Sequence, residues 1–341
     1  MGTLGETAGT LAENRSGLGR AAVSVILVNW NAGEWIERSI LALNAQSCLP
    51  LEVIVIDNAS SDGSAQRIEE GFPAVRVIQL NENSGFAAAN NLGVRLMSDE
   101  SKWVALLNPD AFPEPSWLES LLTAAENNPD YTVFGCRLMD ANTPSKLDGV
   151  GDAYHVSGRV WREQHQKKLT ASVLEPEEIF SPCAAAAMYR RDVFVAAGGF
   201  DEDYFCYVED VDLGFRVRLL GHRCLYVPQA VVFHVGSAVT GKHSDFSVYH
   251  GHRNLVWTFI KNMPGPLLWA LLSLHLALNL VTIANFCLRG QSRVILRAKW
   301  DAIRGVRKMW RKRLEIQRAR VCSVGEIWRV LNKRLLPLAR P

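Results

Sequence analysis

The sequence has no C-x-x-C pair among its seven cysteines, which lie scattered from Cys48 to Cys322. An odd and dispersed set excludes a disulfide framework or a cysteine zinc site and points to a reducing compartment. Neither G-x-G-x-x-G nor G-x-x-x-x-G-K-[ST] follows an apolar run, which counts against both a dinucleotide fingerprint and a P-loop. Residues 1–21 begin without any sustained apolar stretch and are expected to be a flexible lead-in rather than a signal peptide. Repeats and low-complexity tracts are absent. What is present is an ordinary globular composition: 341 residues, 48% hydrophobic, 21% charged, with a formal net charge of +2. A mean hydropathy of +0.01 is too low for a chain built of membrane spans.

The near-neutral total hides a division. Residues 289–341 hold 16 Lys and Arg against 3 Asp and Glu, whereas residues 1–288 hold 21 against 32. An acidic body therefore carries a basic tail, and between them residues 262–288 bear no formal charge. Within the body, Val23–Val28, Val53–Ile56, Val75–Leu80 and Trp103–Leu107 are short continuous apolar runs separated by stretches of helical spacing. Continuous rather than alternating runs predict a mostly parallel sheet with helices on both faces, an α/β nucleotide-binding architecture. Residues 137–180, punctuated by Pro and Gly, read as loops and edge strands. Beyond them the pattern predicts a helix from about Arg191, another over 209–220, and a strand pair at Cys224–Val227 and Val231–His234.

The chemistry-bearing residues sit where predicted strands end, the edge at which open α/β sheets bind ligands. Asn29 and Asn31 follow the first strand. Asp57 and Asn58 follow the second, with Asp57 read either as a base- or ribose-binding carboxylate or as an Asx-turn, beside Asp62 and Ser64 as caps. Asn108-Pro109-Asp110 follows the fourth strand. With no glycine-rich phosphate loop, a hard cation is the usual substitute, and Asp110 is placed to hold Mg²⁺ or Mn²⁺; the alternative is an ordinary turn. Tyr207-Val208-Glu209-Asp210 precedes a helix, and Asp210 reads as a general base or as a helix-start carboxylate. His234 ends a further strand, as a metal partner of Asp110 or as a structural histidine. His243, His250 and His252 have no metal spacing and rank as loop or acceptor-side residues.

Taken in order, V-S-V-I-L-V-N-W-N at 23–31, V-I-V-I-D-N-A-S-S-D-G-S at 53–64, N-S-G-F-A-A-A-N-N-L-G at 83–93, L-L-N-P-D at 106–110, G-G-F-D-E-D-Y-F-C-Y-V-E-D-V-D-L at 198–213 and H-G-H-R-N at 250–254 resemble family 2 of the inverting glycosyltransferases. Within that family the likeness is to bacterial rhamnosyltransferases of O-antigen and cell-wall synthesis. The resemblance covers about residues 22–262 and implies a GT-A fold. It further implies that Asn29, Asn31, Asp57, Asn58, Asn90, Asn91 and Asn108 line the donor site, that Arg253 neutralises leaving-group phosphate, that Asp110 and His234 bind the metal, and that Asp210 is the base. Asn108 departs from the usual D-x-D by replacing its first carboxylate. Glu209, Tyr207 and Trp161 are acceptor-side candidates. The Q-x-x-R-W signature of processive synthases is absent, so one sugar is expected per encounter. The implied donor is dTDP-rhamnose, with UDP- or GDP-sugars as alternatives and a non-catalytic nucleotide-sugar binding protein as the reading outside enzymology. A sugar nucleotidylyltransferase would need a Gly-rich, basic triphosphate loop that does not follow Val28.

Residues 263–341 read as a membrane-associating unit. Leu267–Leu288 is long enough to span, but His275, Asn279, Thr282 and Asn285 form one polar stripe, which favours a helix lying in the interface or against a neighbour over a single span. Trp300, Ile303, Val306, Trp310 and Leu314 recur at helical spacing among Lys and Arg, the pattern of a peripheral element attracted to anionic lipid rather than of a nucleic-acid binder. A lipid-linked saccharide acceptor at the cytoplasmic face of the inner or plasma membrane fits both halves.

Overall fold

The computed structural model describes residues 20–236 and 244–334. Most of the lead-in and His243 fall outside these residues. Strands β1 (Ala21–Asn29), β2 (Pro50–Asp57), β3 (Val75–Gln79) and β4 (Trp103–Leu107) alternate with helices α1 (Trp35–Asn44), α2 (Ser64–Gly71) and α3 (Gly85–Leu96). The chain continues through β5 (Ala111–Pro113), α4 (Trp117–Asn127), β6 (Val133–Asp140) and four three-residue strands, β7 (Leu147–Gly149), β8 (Asp152–Tyr154), β9 (Val160–Arg162) and β10 (Glu177–Ile179). Then come β11 (Ala186–Arg190), α5 (Arg191–Ala196), α6 (Glu209–Leu219), β12 (Cys224–His234) and the helices α7 (Asp245–Asn262), α8 (Gly265–Leu288), α9 (Ser292–Ala319) and α10 (Val324–Val330).

The sheet runs β10-β12-β6-β11-β4-β1-β2-β3. Its β4-β1-β2-β3 half is wholly parallel. β11 enters antiparallel to both β4 and β6, while β6 and β12 pair in parallel. Two reversals about β11 bring the ends of β6 and β12 to the same edge as the ends of β1, β2 and β4. The apolar runs are buried on both faces, with Ile26 and Ile54 in one core and Val25 and Val55 in the other. This is the expected consequence of helices covering each side of a parallel sheet.

Two local expectations change. The strand pair at 224–234 is one strand, β12, whose register against β6 shifts between Val227 and Val231. Pro228 lacks an N–H and so interrupts the ladder, which continues beyond the irregularity. In 137–180 the expected loops and edge strands are present, and the change is that β6 runs on to Asp140 and that β8 and β9 form a separate two-stranded sheet.

The C-terminal helices dock on the body. Along α9 the inner face of Ile295, Ala298, Ala302 and Met309 is buried, and Gly305 lets it approach α7 so closely that a Cβ there would lie 2.6 Å from the Trp257 ring. Helix α8 turns His275 inward, where its Nδ1 hydrogen-bonds the Ser157 carbonyl at 2.8 Å and its ring stacks on Phe259. The predicted polar stripe thus faces the protein, and Trp269, Leu276, Leu280 and Val281 face outward.

Candidate active site

A cavity of about 820 Å³ opens at the edge where β4, β6 and β12 end. Its wall includes Asn58, Asn108, Asp110, Asp148, Asp152, Arg162, Cys183, Tyr207, Glu209, Asp210 and His234. Pairing of β12 with β5 sets His234 opposite Ala111, beside Asp110. The imidazole lies between two carboxylates: Nδ1 is 2.9 Å from Asp148 Oδ2 and Nε2 is 3.4 Å from Asp110 Oδ1. Burial would lower the histidine's pKa, but these hydrogen bonds and charges lift it to about 9. Conversely, burial would raise Asp110, yet His234 and the Gly236 N–H hold it below its ordinary range. Asn108 lies within 3.5 Å of His234, and its buried Oδ1 has no hydrogen-bond partner among the described residues.

These donors suit a divalent cation. The Asp110 carboxylate and, once a cation displaces its proton, the His234 imidazole meet here with the Asn108 amide within 3.5 Å of the ring, and Asp148 fixes the imidazole orientation in the manner of an outer-shell carboxylate. Asp110, His234 and Asn108 are the residues that would hold Mg²⁺ or Mn²⁺.

Also lining the cavity, Asp210 is the second residue of α6. Its Oδ2 accepts from the Ala184 N–H at 3.1 Å, tying it to the sheet edge just before β11. Ligand atoms of Asp152, Cys183 and Asp210 lie within 4.8 Å of one another. Arg162 joins this group to the histidine side, with Nη1 2.7 Å from Asp148 and Nε 3.6 Å from Asp152. Burial, opposed by Arg162 and aided by Asp210, pushes Asp152 up to about 7. Glu209 is buried, its Oε2 without a partner among the described residues, and burial together with Asp210 raises it well above the usual carboxylate value. The turn ahead of it is left-handed at Phe205, Tyr207 and Val208, conformations that cost on the order of 1–3 kcal/mol each for such residues.

Several predicted donor residues lie off the cavity wall. Asn29 is fully buried, its amide shared among Asp57, Ser60 and Ser64. Asp57 accepts from Asn29 and from the Ser60 N–H, so its carboxylate is spent inside an Asx-turn. Asn31 braces the same loop by accepting from the Ser61 N–H. Asn90 turns back to the Phe86 carbonyl, and Asn91 clamps Phe200 through its N–H and its carbonyl. Arg253 donates to the carbonyls of Asp203 and Tyr204 and lies over Trp257. Trp161 falls between Val160 and Arg162 on β9; strand alternation turns it away from the cavity, toward His155. His250 and His252 belong to α7 and pack on Phe205 and Phe286. Asn58 stays on the wall, bound to Asn83 and Ser84. Sequence reasoning missed Asp148, Asp152 and Arg162. Two carboxylates flanking G-V-G at 148–152 were the available pattern, hidden in a segment without strand periodicity.

The family model described as "Glycosyl transferase family 2" matches residues 24–196, just over half of the chain. The chain belongs to glycosyltransferase family 2. An N-acetylglucosaminyl-diphospho-decaprenol L-rhamnosyltransferase of Mycobacterium tuberculosis is 29% identical over 273 residues, covering 72% of this chain and 88% of the relative. The O-antigen biosynthesis protein RfbC of Myxococcus xanthus is 27% identical over 228 residues, 64% of this chain and 18% of that one. Among solved structures, GalNAc-T7 with UDP, GalNAc and Mn²⁺ superposes with a TM-score of 0.57 at 16% identity, over 72% of this chain and 48% of that chain. Mannosyltransferase PcManGT from Pyrobaculum calidifontis, in complex with GDP-Man and Mn²⁺, gives 0.52 at 19% identity over 95% and 93%. The glycosyltransferase thus has a GT-A fold with a C-terminal helical region.

Proposed function

We propose that this glycosyltransferase moves L-rhamnose from dTDP-rhamnose to a hydroxyl of a lipid-linked saccharide, inverting the anomeric centre. One observation carries the reading: a single cavity is lined by Asn108, Asp110 and His234 together with Asp210. The resemblance to an enzyme that acts on a diphospho-decaprenol saccharide supports the acceptor class and the sugar. In this mechanism Asp210 takes the proton of the acceptor hydroxyl, whose oxygen bonds to the anomeric carbon as the carbon–oxygen bond to the diphosphate breaks and the nucleoside diphosphate leaves. A bound divalent cation supplies charge neutralisation for that leaving group. Burial holds Glu209 and Asp152, which lie beside Asp210, above the ordinary carboxylate range.

Residues 22–262 form the catalytic unit in this reading, and 263–341 bring it to the cytoplasmic face of an anionic membrane. The outward apolar side chains of α8 and the exposed Trp300, Ile303, Trp310 and Leu314 of α9 support this. Because α8 is fastened to the body at its middle through His275, a monotopic seat fits better than a span.

Calorimetric titration with dTDP, UDP and GDP, each with and without Mn²⁺, tests the donor. Metal-dependent preference for dTDP is expected. Preference for UDP or GDP discards rhamnose, and no binding by any of them overturns the nucleotide-sugar reading.

A further inference from the structure

The H-G-H-R-N stretch at 250–254 contributes nothing to the cavity wall, yet three of its residues reach the turn that delivers Asp210: His250 stacks on Phe205, and Arg253 and Asn254 bond the backbone. Asn254 is fully buried, and its Nδ2 donates to the carbonyls of Tyr204 at 3.1 Å, Cys206 at 3.0 Å and Tyr207 at 2.8 Å. Its Oδ1 accepts from Arg253 Nε at 3.0 Å. Arg253 adds bonds of 3.1 and 3.0 Å to the carbonyls of Asp203 and Tyr204. Three carbonyls converge on one amide because the chain between them is left-handed, with φ of 64° at Phe205, 69° at Tyr207 and 70° at Val208. For β-branched Val208 that region is an outlier that neighbours must enforce.

The opposite side of the turn is fixed too. Phe205 O accepts from the Ala87 N–H at 3.2 Å, at the start of α3. Gly85 has φ of +84°, and a Cβ there would lie 2.6 Å from the Phe205 ring and 2.7 Å from its oxygen. The turn is held between α3 and α7, and Val208 leads directly into α6 by accepting from the Asp212 N–H at 2.9 Å.

We propose that Asn254, braced by Arg253, is a positioning residue for sugar transfer: it holds Phe205, Tyr207 and Val208 at positive φ so that Asp210 enters the cavity aimed at the acceptor hydroxyl. This rests on Asp210 being the base. Without the clamp the turn relaxes toward an unstrained conformation and re-aims the first turn of α6, while the cation-side residues on β4 and β12 stay where they are. The loss therefore falls on kcat and not on donor binding.

The test uses the full chain, with dTDP-, UDP- and GDP-sugars as donors. Asn254→Ala is expected to lower kcat roughly 10²-fold, the cost of a misplacement of about 1 Å, with donor KM and dTDP affinity unchanged. Adding Val208→Gly, which adopts positive φ freely, is expected to recover about tenfold of that loss. Amide exchange over 205–210 should accelerate in Asn254→Ala while 255–262 keeps its protection. A parallel change in kcat and KM, no recovery by Val208→Gly, or equal acceleration across α7 overturns the proposal. If Asn254→Ala does not fold, Arg253→Gln serves: a smaller kcat-specific loss is expected, and no loss counts against the clamp. An inactive wild-type chain sinks the reading of Asp210 as base, whereas the exchange pattern over 205–210 still decides the clamp.

Discussion

At the scale of single residues, the cavity is organised as one run of charge, from Asp110 through His234, Asp148 and Arg162 to Asp152 and Asp210. Removing a member has different consequences at its two ends. Asp210→Asn keeps the shape and the hydrogen bond to the Ala184 N–H but cannot take up a proton. Transfer should fall at least ~10²-fold, as loss of a general base does, with dTDP affinity unchanged by calorimetry. A large loss of dTDP binding would move Asp210 into the donor site. Asp148→Asn leaves Asp110, His234 and Asn108 in place and weakens the hold on His234, while also loosening the pairing with Arg162 and His165. Mn²⁺ affinity should drop by about 10–100-fold, the usual effect of losing an outer-shell partner. Titration of the metal alone, without substrate, checks this, and unchanged affinity would separate His234 from the cation.

At the scale of elements, the parallel half was legible because its strands are buried on both faces and read as continuous apolar runs; Trp103–Leu107 has the predicted bounds. Strands β7–β10 were not legible, since three residues cannot display a period and their pairing comes from β6, β12 and each other. The same limit hid Asp152 and Arg162, which face each other only through the β8–β9 register. The asparagines after β1 and on α3 illustrate another limit. Sequence puts them near the right edge, but only the fold shows what their side chains bond: Asn29 and Asn31 the 57–64 loop, Asn90 the Phe86 carbonyl of its own helix and Asn91 the backbone of Phe200. Helix α9 has two apolar faces, and sequence alone could not assign them to different partners. With Met309 and Ala302 turned inward, Trp300, Ile303 and Trp310 are left exposed, the face that the proposed membrane seat would use. Changing those three to Glu should leave the melting temperature nearly unaltered and lower binding to vesicles of anionic lipid by more than about tenfold, equivalent to some 1.4 kcal/mol. Raised salt should weaken wild-type binding through the basic residues. Sedimentation with vesicles reads both, and undiminished binding of the triple variant would refute this face as the contact.

At the scale of the whole molecule, a buried ionic network ties the C-terminal helices to the catalytic body. Lys261 on α7, 1% exposed, contacts Asp201 at 2.5 Å and Asp212 of α6 at 2.8 Å. Asp212 also pairs with Arg216 and accepts from Asn262 and Tyr204, and Lys312 of α9 reaches Asp203 at 2.7 Å. Burial opposes ionisation of Asp201 and Asp212, but Lys261 with Lys312 or Arg216 holds both below their ordinary values. A carboxylate whose folded pKa is depressed adds stability in full above its unfolded pKa of about 3.9, and that contribution disappears as pH falls further toward the folded value. The transferase should therefore melt at steadily lower temperature as pH drops below about 4. Asp212→Asn would leave Lys261 and Arg216 short of a counter-charge, which costs about 3–5 kcal/mol when one member of a buried pair is removed. The variant should be less stable at pH 7 and lose less on going from pH 4 to pH 3, because one of the depressed carboxylates is gone. Melting curves across that interval decide it: a slope identical to wild type would mean that the acid step arises elsewhere and that this network does not fasten the helices to the body.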